Sequence, residues 1–351
     1  MKQIKWFALL CAGIILFSGC GEDENEGPIS SYGSGVLIVN EGVFGQGDGS
    51  VSFYHTAGDS VTLNVIAKQN GGDDLGATLN SAFEHDGLIY LLANNPDKIE
   101  IVDAGDFTFS GAPLMGPDFV APRYMTAVDG KGYITCWGEY GDNFTLPDSY
   151  VAVVDLKTRT LIARIRTQDG PEGVIAVGSK VFVANSFTNW VTVIDANTNE
   201  KIDSIQTPYQ APNDFVLDKN QQLWVVCKGP WGGEGGLLRI DPARVEVDFE
   251  APTDNLSPAG KIAISGDKGR FYYLTGAGVH EHDVDEETLS LDPLIPGTNF
   301  YAIGFHPGEN EIYVADPKGF QTAGRVERYG LDGTLIGGFD VAVGPSSFLF
   351  R

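Results

Sequence analysis

The chain has 351 residues, with 47 acidic against 23 basic side chains and a formal charge of -24. So negative a surface repels phosphate backbones and anionic lipid, which excludes nucleic acid as a partner and excludes peripheral binding to a membrane surface. Glycine is abundant, with 45 copies, and cysteine is scarce, with four, so the chain is not a disulfide framework.

The elements begin with a targeting segment. Lys2 and Lys5 precede an apolar run from Trp6 to Phe17, too short to span a bilayer. It ends in Phe17-Ser18-Gly19-Cys20, which resembles a bacterial lipobox with Phe17 in place of the usual leucine. On that resemblance residues 1–19 are a signal peptide and Cys20 is the lipid anchor; the alternative is an ordinary secretory signal. Residues 20–34, opening with the acidic run Glu22 to Glu26, read as a flexible tether. An acidic run directly after the lipidated cysteine also resembles a surface-export signal, so the expected location is the outer membrane, facing the exterior, with a periplasmic lipoprotein as the alternative.

Residues 35–351 read as one domain made of a repeat. Its clearest copy is Val181 to Ser186, a short loop, Trp190 to Asp195, a turn, then Glu200 to Ile205, three strand patterns in succession. The Trp190–Asp195 element recurs at Ser50–His55, Lys98–Asp103, Tyr150–Asp155, Gly236–Asp241, Gly278–Asp283 and Arg325–Gly330, seven copies spaced 40 to 52 residues apart. A further strand precedes each unit, often opened by proline, as in Pro122–Val128, Pro171–Val177, Pro212–Leu217 and Pro258–Ile264. Four strands per unit at this period predict an all-β, seven-bladed β-propeller. The first unit lacks its leading strand, and Gly344 to Phe350 matches the missing pattern. The C-terminal strand is therefore expected to join the first blade and remove the open sheet edge.

The stretch Val181 to Ile205 resembles the repeat of the YVTN-type, YncE-like propellers. Leu37 to Gly42 with Phe44-Gly45 and Gly49-Ser50 resembles the opening of a family of Bacteroidetes surface lipoproteins. That family includes proteins that capture cobalamin and pass it to a TonB-dependent transporter. The resemblance implies a surface lipoprotein that binds a bulky nutrient, cobalamin-like or another metal chelate, and partners such a transporter.

Two classes of loop should emerge on opposite faces. The turns joining first to second and third to fourth strands are short and polar, such as Asp129 to Gly132 and Gly178 to Lys180. The other loops carry rings, and Phe44, Tyr124, Trp137, Tyr140, Phe144, Tyr209, Trp231 and Phe320 are the candidate ligand-binding residues on one stacking face. Some rings should instead cap blade cores, Trp190 and Phe187 first.

No nucleophile elbow, calcium loop or phosphate loop is present, so no catalytic residue, resident cofactor or metal is assigned. His280 and His282 share one side of a strand but fall in a slot that packs between blades. Glu41, Asp118, Glu172 and Asp214 lie near the expected axial mouth and keep open an axial-site hydrolase or lyase. A protein- or glycan-binding adhesion module is the remaining alternative. Cys136 and Cys227 fall in the same strand of blades three and five, too far apart for a bridge, and are expected as buried free thiols.

Overall fold

The computed structural model describes residues 32–230, 234–254 and 256–351. The signal peptide, Cys20 and most of the acidic tether lie outside these residues. No helix among the described residues is long and apolar enough to cross a membrane.

Seven four-stranded antiparallel sheets form a ring. The clearest blade runs outward through Pro171–Val177, Lys180–Asn185, Trp190–Asp195 and Glu200–Gln206. Burial follows position in the blade. The second strands are enclosed on both faces by neighbouring blades, so Val36–Asn40 and Leu223–Cys227 are buried throughout and read as unbroken apolar runs. The outer strands Thr160–Arg166 and Glu246–Pro252 alternate exposed and covered residues, because only one of their faces meets protein.

Closure occurs as the sequence predicts. Pro345–Phe350 pairs antiparallel with Val36–Asn40, placing Leu349 opposite Leu37. Gly35 and Arg351 exchange backbone hydrogen bonds of 3.1 and 3.0 Å, which extends the ladder by one pair. The Arg351 guanidinium then reaches Glu84 of the next blade at 2.9 Å and the Tyr32 carbonyl. Tyr32, assigned to the tether by composition, is instead buried between blades one and two, edge-on to Phe53 at 5.1 Å with its hydroxyl accepting from Gln69. The ordered ring therefore includes at least one residue of that segment.

A repeated device sets up the axis. Residues just before the inner-strand prolines, Ala121, Gly170, Ala211 and Gly344, all have positive φ. Their carbonyls accept a hydrogen bond from the first residue after the second strand of the same blade: Trp137 to Ala121, Ser186 to Gly170, Lys228 to Ala211, and Glu41 to Gly344. Beyond each proline the inner strand bulges, with register shifts between Pro122 and Met125, Pro171 and Val174, Pro212 and Asp214, and Pro258 and Ile262. A bulge re-aims side chains. Here it turns the residues following each proline toward the channel.

Candidate functional site: the axial mouth

Two rings of positions meet at the axis on the face that carries the long loops. Residues one to three after the strand-opening prolines supply Arg123, Tyr124, Glu172, Asp214 and Lys261; residues following second strands supply Glu41, Trp137 and Lys228. Tyr301 enters ahead of the proline-free inner strand Ala302–His306. The convergence is direct. Lys261 of blade six donates to the Tyr124 hydroxyl of blade three at 2.6 Å, across the channel. Arg123 makes a two-pronged pair with Glu172, at 3.0 and 3.3 Å, and its guanidinium lies 4.2 Å from the centre of the Trp137 ring. The Tyr301 hydroxyl donates to Glu41 at 3.1 Å. The Arg123 carbonyl is itself held by Asn80 and Ser81 of blade two.

Electrostatics follows from this confinement. Burial pushes the Asp214 carboxyl up to about 6, against the opposing pull of Lys261 and of the Phe215 amide that donates to it. Burial also raises Glu41, although the Tyr301 hydrogen bond and the Lys261 charge resist. The Lys228 ammonium is pushed down by burial. The phenols of Tyr124 and Tyr301 are raised by burial and remain neutral donors.

The sequence-predicted residues divide into four groups. Tyr124 lies in the channel and Trp137 on its rim, where Trp137 meets Tyr140 at 6.2 Å and Phe187 at 5.4 Å, both edge-on. The Trp137 indole N–H is buried without a hydrogen-bond partner among the described residues. Phe320 meets Tyr301 edge-on at 4.9 Å and so supports the rim from behind. Phe44 is 93% exposed on the loop after Glu41 and packs on nothing. Tyr209 belongs elsewhere: it packs on the shared core of blades four and five, lying against Gly236, and caps that core. Trp231 and the Phe144 side chain lie outside the described residues.

Phe187, expected to cap a blade core, does not. Phe119 is buried between blades two and three, and Phe300 packs on the core of blades six and seven, whereas Phe187 is 49% exposed beside Trp137. Of the four acids placed near the mouth, Glu41, Glu172 and Asp214 converge. Asp118 stands apart, paired with Arg164 at 2.5 Å on the blade flank. Arg123, Lys228, Lys261 and Tyr301 were missed by sequence reasoning. For Arg123 and Lys261 the signal was a place one to three residues after the strand-opening proline, and for Lys228 the place after the second strand; Tyr301 carried neither mark.

His280 and His282 are buried. His280 bonds Thr275 at 2.9 Å and stacks on Tyr273, while His282 packs against Trp224 and Phe271. No group of three or more histidine, cysteine, aspartate or glutamate side chains among the described residues is placed to hold a metal. Cys136 and Cys227 are buried free thiols, and burial pushes the Cys136 thiol up to about 12.

A family model described as a domain of unknown function, DUF5074, matches residues 34–336, nearly the whole ring. The chain belongs to this family. No curated protein matches. Among solved structures, the chain is similar to a quinonprotein alcohol dehydrogenase-like protein from Bacteroides thetaiotaomicron, with a TM-score of 0.70 and 17% identity over 90% of this chain and 78% of that one. A functionally unknown protein from Desulfotomaculum acetoxidans gives a TM-score of 0.68 and 13% identity over 90% of this chain and 98% of that one. Virginiamycin B lyase from Staphylococcus aureus gives a TM-score of 0.59 and 14% identity over 78% and 88%. At these identities the likeness establishes the propeller fold alone.

Proposed function

We propose that this chain is a lipid-anchored binding protein of the outer cell surface, whose axial mouth captures a bulky nutrient, cobalamin-like or another metal chelate, for a TonB-dependent transporter. One observation carries the binding reading: exposed rings and a charged, hydrogen-bonding floor gather at one end of the axis. Trp137, Tyr140 and Phe187 form an aromatic rim beside Arg123, and each ring a planar ligand touches adds about 0.5 to 1.5 kcal/mol beyond area burial. The lipobox-like Phe17 to Cys20 and the acidic run behind it support the anchor and the location.

The test is tryptophan fluorescence of the purified full chain titrated with cyanocobalamin, haem and a ferric siderophore, with inner-filter controls. Saturable quenching by one of them, weakened about tenfold or more by Trp137→Ala, is the expected result. A flat response to all three would remove nutrient capture and leave a protein or glycan partner as the better reading.

A second reading rests on Asp214. A channel carboxyl that holds its proton to about 6 beside Tyr124 and Lys261 is suited to general acid–base work, as an axial-site hydrolase or lyase would need. It predicts turnover abolished by Asp214→Asn with ligand binding retained.

A further inference from the structure

The charged floor of the mouth is not evenly satisfied. Arg123 and Glu172 satisfy each other through two hydrogen bonds, and Trp137 covers the guanidinium. The Glu41 carboxylate accepts from Tyr301, and one Asp214 oxygen accepts from the Phe215 amide. The two lysines are less engaged. An ammonium group has three donors and no acceptor. Lys261 uses one on Tyr124, and among the described residues the Lys228 side chain donates no hydrogen bond. Tyr124, having accepted from Lys261, keeps its own hydroxyl proton to give. The mouth therefore keeps open donor capacity on two cations, beside the free oxygens of Glu41 and Asp214.

Lys228 is also held where it is. Its stem lies against Gly260, whose φ is +72°; a Cβ built there would stand 2.8 Å from the Lys228 Cδ and would collide with the Asn213 side chain. The lysine stem thus lies against the blade-six backbone next to Lys261, half-buried. Burial disfavours its charge, so the approach of an anion relieves Lys228 more than it would an exposed lysine.

Resting on the binding reading above, we propose that the axial mouth takes a carboxylate of the ligand between the ammonium groups of Lys228 and Lys261, with a planar ring of the same ligand against the Trp137 rim. A single negative charge fits better than a double one. Glu41, Glu172 and Asp214 share the space with the cations, so doubling a ligand's charge doubles attraction and repulsion alike while its desolvation cost grows as the square of the charge. Glu41 and Asp214 each keep one oxygen free, so an ammonium ligand is the competing occupant and must also approach the two lysine cations.

Calorimetric titration of the purified full chain with 2-naphthoate, 2-naphthamide, 2-naphthylmethylamine and 2-naphthyl phosphate tests this, since the four share a ring and differ in charge. The naphthoate binds tightest, about tenfold over the amide, because both partners of its hydrogen bonds carry full charge. Lys228→Met and Lys261→Met each narrow the affinity ratio of naphthoate to naphthamide, with folding of both variants checked by thermal unfolding. Equal binding of acid and amide, tightest binding by the amine or the phosphate, or no binding by any of the four overturns the carboxylate site. The cobalamin, haem and siderophore titration judges the wider binding reading separately, so one can fail while the other stands.

Discussion

Asp214 sits in the channel with one oxygen on the Phe215 amide and with Lys261 and Glu172 pulling its proton affinity in opposite directions. Burial wins, and the carboxyl titrates near 6 in the folded chain against an ordinary 3.8. The sign of the linkage follows. Below pH about 4 both states hold the proton and the site costs nothing. Between about 4 and 6 the unfolded chain ionises first, the native state binds more protons, and stability falls as pH rises. Above about 6 the full penalty is present, about 1 to 2 kcal/mol once the group's contact with channel water is discounted. Asp214→Asn should therefore be more stable than the parent by that amount at pH about 7.5 and equal to it at pH about 4, measured by urea unfolding at the two pH values. A variant less stable than the parent at the higher pH would mean that attraction to Lys261 outweighs burial.

At the level of the element, the repeated turn before the inner strand controls what reaches the axis. Gly170 and Ala211 occupy the same place in consecutive blades, with φ of +68° and +58°. A β-carbon at Gly170 would run into the Phe187 ring, so Gly170→Ala meets both left-handed strain and a clash. A loss of about 2 kcal/mol or more is expected in denaturant unfolding. Ala211→Gly removes left-handed strain but adds chain entropy, so a change within about 0.5 kcal/mol of zero is expected. A large loss at Ala211 would show that its methyl packs and that strain is not the governing quantity.

The same turn explains what the sequence disclosed. Strand positions, blade number and the closing strand were legible because the buried slots repeat: Trp190 to Asp195 and its six relatives carry the pattern of a strand packed on both faces. Glu41, Glu172, Asp214, Tyr124 and Trp137 were legible as lying near the mouth. Their partners were not, because Lys261 and Tyr301 belong to blades six and seven and meet residues of blades three and one only when the ring closes. A separation of 137 residues between Lys261 and Tyr124 leaves no local signal of that contact. Tyr209 misled because a ring on a long loop reads the same in sequence whether it faces the mouth or the blade core.

For the whole molecule, two electrostatic effects of opposite sign act on a carboxylate approaching the mouth. The net charge of -24 repels it at long range, while Lys228 and Lys261 attract it only at short range, inside a channel shared with three acids. Salt separates them, because the Debye length of about 8 Å at physiological ionic strength screens the surface field strongly and the close contacts in the mouth weakly. Raising ionic strength should therefore speed association of 2-naphthoate and leave its dissociation rate nearly constant, so affinity should rise with salt. Attraction between opposite charges at an exposed site gives the reverse dependence. Stopped-flow tryptophan fluorescence over a range of sodium chloride concentrations, with 2-naphthamide as the uncharged control, measures both rates. An association rate that falls with salt would place the carboxylate on exposed lysines outside the mouth; a rate that rises for the acid and stays flat for the amide would place it behind the molecule's own negative field, on the axis.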